Sequence, residues 1–109
     1  MIDGKIIEIT KHATERLAQR VVGPMIRGAH KEFLFEHRNA KKALYSMVNK
    51  DTGDLSAVED KYPAKGGVFY DMNFSSYDGE IPVRILVRDN DLVTIWPLGK
   101  WRRVQPIGY

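Results

Sequence analysis

His12, Arg16 and Arg20 recur at four-residue intervals in the segment Thr10-Lys11-His12-Ala13-Thr14-Glu15-Arg16-Leu17-Ala18-Gln19-Arg20-Val21-Val22. On a helix this i, i+4, i+8 spacing gathers one imidazole and two guanidiniums on a single stripe. A neutral imidazole can accept a proton and guanidiniums stabilise phosphoryl charge, so the trio suits work on a phosphodiester. Ala13, Leu17 and Val21 form a parallel apolar stripe, which lets the helix dock on a core while the cationic stripe faces outward. His12 falls in the first turn after the N-cap candidate Thr10, where exposed backbone N–H groups and the helix dipole disfavour added positive charge. Arg16 and Arg20 act in the same sense, which favours the neutral imidazole that a general base requires. The competing reading is a solvated basic face with no chemistry, the usual fate of charges on a surface helix.

Periodicity outlines the elements that must position this stripe. Lys5-Ile6-Ile7-Glu8-Ile9 is rich in β-branched residues and reads as a short strand entering the Thr10 cap. The first helix is expected to end at Gly23-Pro24, with Pro24 in the first turn of a long second helix. Ile26, Ala29, Phe33, Ala40, Leu44 and Met47 are its apolar positions, with an interruption weighed near Gly28. It stops near Asn49, before the turn residues Asp51-Thr52-Gly53-Asp54. A weak strand near Leu55 to Glu59 and a loop through Tyr62-Pro63-Ala64-Lys65-Gly66-Gly67 lead into an antiparallel meander.

Val68, Tyr70, Met72 and Phe74 share one face of the next strand; after the Tyr77-Asp78-Gly79 turn, Ile81, Val83, Ile85 and Val87 share one face of its partner. Asp89-Asn90 makes a tight hairpin turn. The last strand, Leu92 to Trp96, places Val93 and Ile95 on one face and Leu92, Thr94 and Trp96 on the other. With helices over the β-branched face, Arg84 and Arg88 join Thr94 and Trp96 on the opposite side. That polar and aromatic patch is either a binding surface or the wet face of a half-buried sheet.

Composition narrows the classes. The chain has 109 residues, 43% of them hydrophobic and 28% charged, which is the composition of one globular domain spanning residues 1–109. It holds no apolar run near the roughly 20 residues of a membrane span, and its N-terminus lacks the basic and apolar regions of a signal peptide, so a cytoplasmic protein without a membrane partner is expected. With no cysteine, disulfides, thiolate nucleophiles and cysteine zinc sites are excluded, and the spacing of His12, His30 and His37 matches no zinc signature. No metal and no cofactor are expected. Ser46, Ser56, Ser75 and Ser76 lack a nucleophile elbow, and Gly66-Gly67 precedes a strand where a phosphate loop needs a helix. The net charge is only +3, but the first helix and Lys100-Trp101-Arg102-Arg103 hold local excesses. Basic residues interleaved with an aromatic suit phosphate contact combined with base stacking.

The order strand, helix, helix, then antiparallel strands is similar to that of small RelE-like ribonuclease toxins. Thr10-Lys11-His12-Ala13 with Arg16 and Arg20, and the closing Leu92-Val93-Thr94-Ile95-Trp96, resemble the opening and the last strand of RelE-like domains of unknown function. The resemblance covers the first helix and final strand well, and the middle only by order of elements. Those domains belong by fold with metal-independent ribonucleases of the barnase-like, colicin-like and RelE-like kinds. The resemblance implies an α+β fold, with a short N-terminal strand and two helices packed on an antiparallel sheet of about four to five strands. It also implies RNA cleavage by 2′-OH transesterification, a toxin-like endoribonuclease with RNA, free or on the ribosome, as substrate and an antitoxin as partner. On that reading His12, Arg16, Arg20 and Thr94 form the catalytic set, Arg84 and Arg88 extend the phosphate track, and Trp96, Trp101, Arg102 and Arg103 meet RNA. The alternatives are a non-catalytic RNA-binding module on the same fold, and a phage-type regulator whose long second helix docks on a host protein. His30 and His37, seven apart on that helix, are read as a packed or surface pair.

Overall fold

The computed structural model describes residues 1–77 and 79–99. In chain order its elements are β1 (Glu8–Ile9), α1 (Lys11–Leu17), a π-helical turn (Ala18–Val22), α2 (Gly23–Met25), α3 (Gly28–Phe35), α4 (His37–Ser46), a second π-helical turn (Met47–Asp51) and a 3-10 turn (Leu55–Ala57). The strands β2 (Lys61–Ala64), β3 (Gly67–Ser76), β4 (Gly79–Arg88) and β5 (Asp91–Pro97) follow. They form one five-stranded sheet in the order β1-β5-β4-β3-β2. The sheet is mixed where an antiparallel one was expected, because β1 runs parallel to β5, with Glu8 opposite Asp91 and Ile9 opposite Leu92. The helices intervene between β1 and the meander, so the first strand can return to the sheet beside the last in the parallel sense. Among the described residues no helix is long and apolar enough to cross a membrane.

β1 is shorter than the apolar run Lys5 to Ile9 predicts, and Asn49 explains it. Its side-chain amide accepts from the Ile7 N–H at 2.8 Å and donates to the Ile7 carbonyl at 2.9 Å, standing where a neighbouring strand would stand. Thr10 then caps α1 as expected, its Oγ1 accepting from the Ala13 N–H at 3.1 Å. The helix does not stop at Gly23-Pro24. It widens into the π turn, where the Gly23 N–H reaches back to the Ala18 carbonyl, and Pro24 continues it without an N–H to place. The chain breaks only at Ile26, which is extended.

The long second helix is two helices, since Glu36 is extended (φ −69°, ψ 124°) between α3 and α4. Asn39 secures the corner, its amide donating to the Phe33 carbonyl at 3.0 Å and to the Glu36 carboxylate at 3.1 Å. The break turns α3 so that Leu34 packs inward while Phe33, assigned to the core by periodicity, is 55% exposed. The weak strand expected near Leu55 to Glu59 is replaced by the 3-10 turn, and the loop expected through Tyr62 to Gly67 is in large part β2.

One apolar cluster joins the helices to the sheet. Ala13, Leu17, Val21, Val22, Ala40, Leu44 and Met47 pack on Tyr70, Phe74, Val83, Ile85, Val87 and Ile95, with Val68, Met72 and Ile81 at its margin. The helices therefore cover the β-branched face, as alternation predicts. Asp89 and Asn90 both adopt positive φ, 52° and 63°, giving the tight hairpin between β4 and β5. A register shift follows at once: Val87 pairs with Leu92, but Leu86 pairs with Thr94, leaving Val93 as a bulge. Leu92 accordingly faces the core with Ile95, where unbroken alternation placed it beside Thr94.

Candidate nucleic-acid interface

The π turn and α1 together carry His12, Arg16 and Arg20 along one side, each half-buried. Arg16 Nε donates to His12 Nε2 at 3.3 Å, and Arg16 Nη1 donates to Gln19 Oε1 at 2.7 Å. His12 Nε2 is thus the acceptor nitrogen, which places the ring proton of the neutral imidazole on Nδ1. Arg20 reaches past the end of β1 to the edge of β5. Its Nη1 donates to Thr94 Oγ1 at 3.3 Å and to the Ile95 carbonyl at 3.2 Å, and its guanidinium lies 5.4 Å from the Trp96 ring centroid. Burial first, then the charge of Arg16, lowers the pKa of Arg20 from its ordinary value. Clustered cations that repel one another are relieved by an incoming anion.

Thr94 and Trp96 are near the stripe but covered. Thr94 is fully buried and Trp96 is 7% exposed, so the threonine hydroxyl anchors Arg20 and the indole offers little surface to a base. On the same sheet face the register aligns Tyr62, Phe69, Leu86 and Thr94 in one row and Asp71, Arg84 and Trp96 in the next. Phe69 meets Trp96 edge-on with centroids 5.8 Å apart. Arg84 lies 5.9 Å from the Phe69 centroid and 4.9 Å from that of Tyr62. A line of cations and rings, Arg20, Trp96, Phe69, Arg84 and Tyr62, therefore crosses from the helix stripe to the far edge strand.

Arg84 is not available as the bare phosphate contact that its sequence position suggests. Asp71 accepts from its Nε at 2.7 Å and from its Nη2 at 3.0 Å, a forked ion pair. That hydrogen bonding to Asp71 raises the pKa of Arg84. Around the pair opens a cleft of about 600 Å³ whose polar lining among the described residues is Asp60, Tyr62, Asp71, Asn73 and Arg84, with Met72, Pro82 and Leu98 as its apolar part. Arg88, at the end of β4, donates from Nη2 to the Lys65 carbonyl at 3.3 Å and lies against Gly66. Trp101, Arg102 and Arg103 lie outside the described residues.

His30 and His37 take no part in this surface. His30 stacks on Phe33 and meets the edge of Tyr77, while His37 Nδ1 is 2.9 Å from Thr14 Oγ1, tying α4 to α1. Tyr62, Phe69 and Asp71 were not singled out as site residues by sequence reasoning. A signal existed for Asp71: centring the hairpin on residues 77 and 78 pairs it with Arg84, as observed. No family model, curated protein or solved structure matches the chain.

Proposed function

We propose that this chain is a small RelE-like, metal-independent endoribonuclease that holds RNA on the His12, Arg16 and Arg20 stripe. The observation that carries the reading is the Arg20 latch, which fixes one guanidinium beside a second on Arg16 and next to an imidazole whose Nε2 carries a lone pair. An incoming phosphate draws Arg16 from His12 because a charged oxygen is the stronger acceptor. His12 Nε2 then takes the 2′-OH proton, the 2′-oxygen bonds to phosphorus, the bond to the 5′-oxygen breaks, and that oxygen takes a proton from solvent. The products are a 2′,3′-cyclic phosphate end and a 5′-hydroxyl end.

A second reading, RNA binding without cleavage, is favoured by one contact: the Nε2 lone pair is already engaged by Arg16. One experiment separates the two. Purified protein is incubated with RNA, and with ribosomes, in the presence of EDTA, and the ends are mapped. Cleavage leaving cyclic phosphate ends and abolished by His12→Ala is expected. Intact RNA in both assays, with binding that survives His12→Ala and is lost in the Arg16→Ala, Arg20→Ala double variant, would establish the non-catalytic reading. Toxicity of the wild type on controlled expression in bacteria, relieved by His12→Ala, is the matching cellular outcome.

A further inference from the structure

We infer that the cleft beside Arg84 is a nucleobase site selective for guanine, an inference that rests on the RNA reading and names its base preference. A phosphate fits this cleft poorly, since Asp71 cancels the charge of Arg84 through two bonds and Asp60 adds a second carboxylate. The guanidinium instead underlies the ring of Tyr62 at 4.9 Å, a residue that is 41% exposed. An exposed ring held in place is a stacking surface, and any base has a face to lay on it.

Selectivity comes from the polar atoms around that ring. The forked pair leaves lone pairs on both Asp71 oxygens and unused N–H groups on Arg84. Asp60 contributes two more acceptor oxygens and Asn73 an amide that both donates and accepts. The cleft therefore sets paired carboxylate oxygens beside amide and guanidinium donors. Guanine alone among the bases presents two adjacent donors, N1–H and the 2-amino group, which match the two oxygens of one carboxylate, with O6 alongside for an Arg84 or Asn73 N–H. Adenine and cytosine set a ring acceptor beside their amino group, and uracil flanks its single N–H with carbonyls, so each turns an acceptor toward a carboxylate. The cleft also lies in line with the stripe. The β5 edge and β2 are three strand spacings apart, roughly 14 Å at about 4.8 Å each, and the row from Arg20 to Tyr62 bridges them.

Guanosine, adenosine, cytidine and uridine carry no phosphate, so they probe the cleft without the stripe. Each is titrated into the full chain while backbone amide shifts are followed by NMR. Guanosine is expected to move the amides of Asp60, Tyr62, Asp71 and Asn73 and to bind about tenfold more tightly than the other three. Asp60→Asn, an exposed change, and Asp71→Asn should each weaken guanosine about fivefold or more with the remaining spectrum retained. Equal affinity for all four nucleosides, shifts confined to other surfaces, or unchanged affinity in both variants overturns the inference. Guanosine titrating the cleft of a protein that neither binds nor cuts RNA would support the base site and remove the RNA reading. Intact RNA activity with no guanosine response overturns the base site alone.

Discussion

Thr94 shows how a residue can shape the proposed site without facing it. Its hydroxyl, buried on the sheet, accepts from Arg20 at 3.3 Å and so decides where that guanidinium sits. Thr94→Val keeps the shape and removes the acceptor, and the Ile95 carbonyl still holds the arginine. RNA binding is therefore expected to weaken by about 0.5–1.5 kcal/mol, less than for Arg20→Ala, as measured by filter binding on both variants. Asn49 plays the corresponding part in the core. Truncation to alanine orphans the buried N–H and carbonyl of Ile7 together, and urea unfolding should register a loss of about 2–4 kcal/mol. The stripe of His12, Arg16 and Arg20 was legible in the sequence because helical spacing is local. Asn49 was not, because its partner lies 42 residues away and nothing in the adjacent letters announces it.

The elements read from the sequence divide along the same line between local and distant causes. β3, β4 and the Asp89-Asn90 turn follow from alternation and turn chemistry within a few residues of themselves, and they stand where alternation put them. The break at Glu36, held by the Asn39 bonds to Phe33 and Glu36, and the π turn at Ala18–Val22 are backbone departures that helix propensity does not record. β2 was hidden by Pro63 and the adjoining glycines, letters that spell a loop; as an edge strand it tolerates a proline. Its turn ends at Gly67, where a Cβ would stand 2.4 Å from the Val87 carbonyl oxygen, too close for any side chain. Gly67→Ala must push β3 off β4, and thermal unfolding should report about 1–3 kcal/mol of destabilisation. The bulge makes a contrasting case. Deleting Val93 restores unbroken pairing without turning Thr94 or Leu92 to the wrong face, so that variant should keep its fold, while deleting Ile85 reverses the inward face of half of β4 and should not. Circular dichroism of the two deletions checks this.

For the molecule as a whole, charge and pH set the conditions under which the proposed surface works. Pairing with Asp71 removes Arg84 from the phosphate contacts, leaving Arg16 and Arg20 with Arg88 at the margin. Two to three contacts on a single strand predict a slope of log K against log salt of roughly −1.4 to −2.1, and a slope near zero would rule out backbone contact by the stripe. Alkali should act through Tyr70. Burial, with Asp54 and Asp3 behind it, raises its pKa above the ordinary 10.0, so the folded state favours the neutral phenol. The stability it contributes is full at neutral pH and is lost as pH rises past 10.0 through the folded value. Tyr70→Phe should consequently lose less stability than the wild type between about pH 9 and pH 11 in paired denaturant titrations.

The reach of Arg20 around β5 also bears on how copies of the chain behave toward one another. Among the described residues β1 covers that edge only as far as Leu92, and no strand lies alongside β5 beyond it. Two features blunt it: Pro97, which has no N–H, and the guanidinium on the Ile95 carbonyl. The arginine thus guards against strand-to-strand pairing as well as serving as the proposed phosphate ligand, and the two duties compete. Arg20→Ala should open the edge, so that light scattering detects self-association growing with concentration. In the wild type an oligonucleotide that draws Arg20 away must itself shield the strand, or binding will seed the aggregation that the free protein avoids.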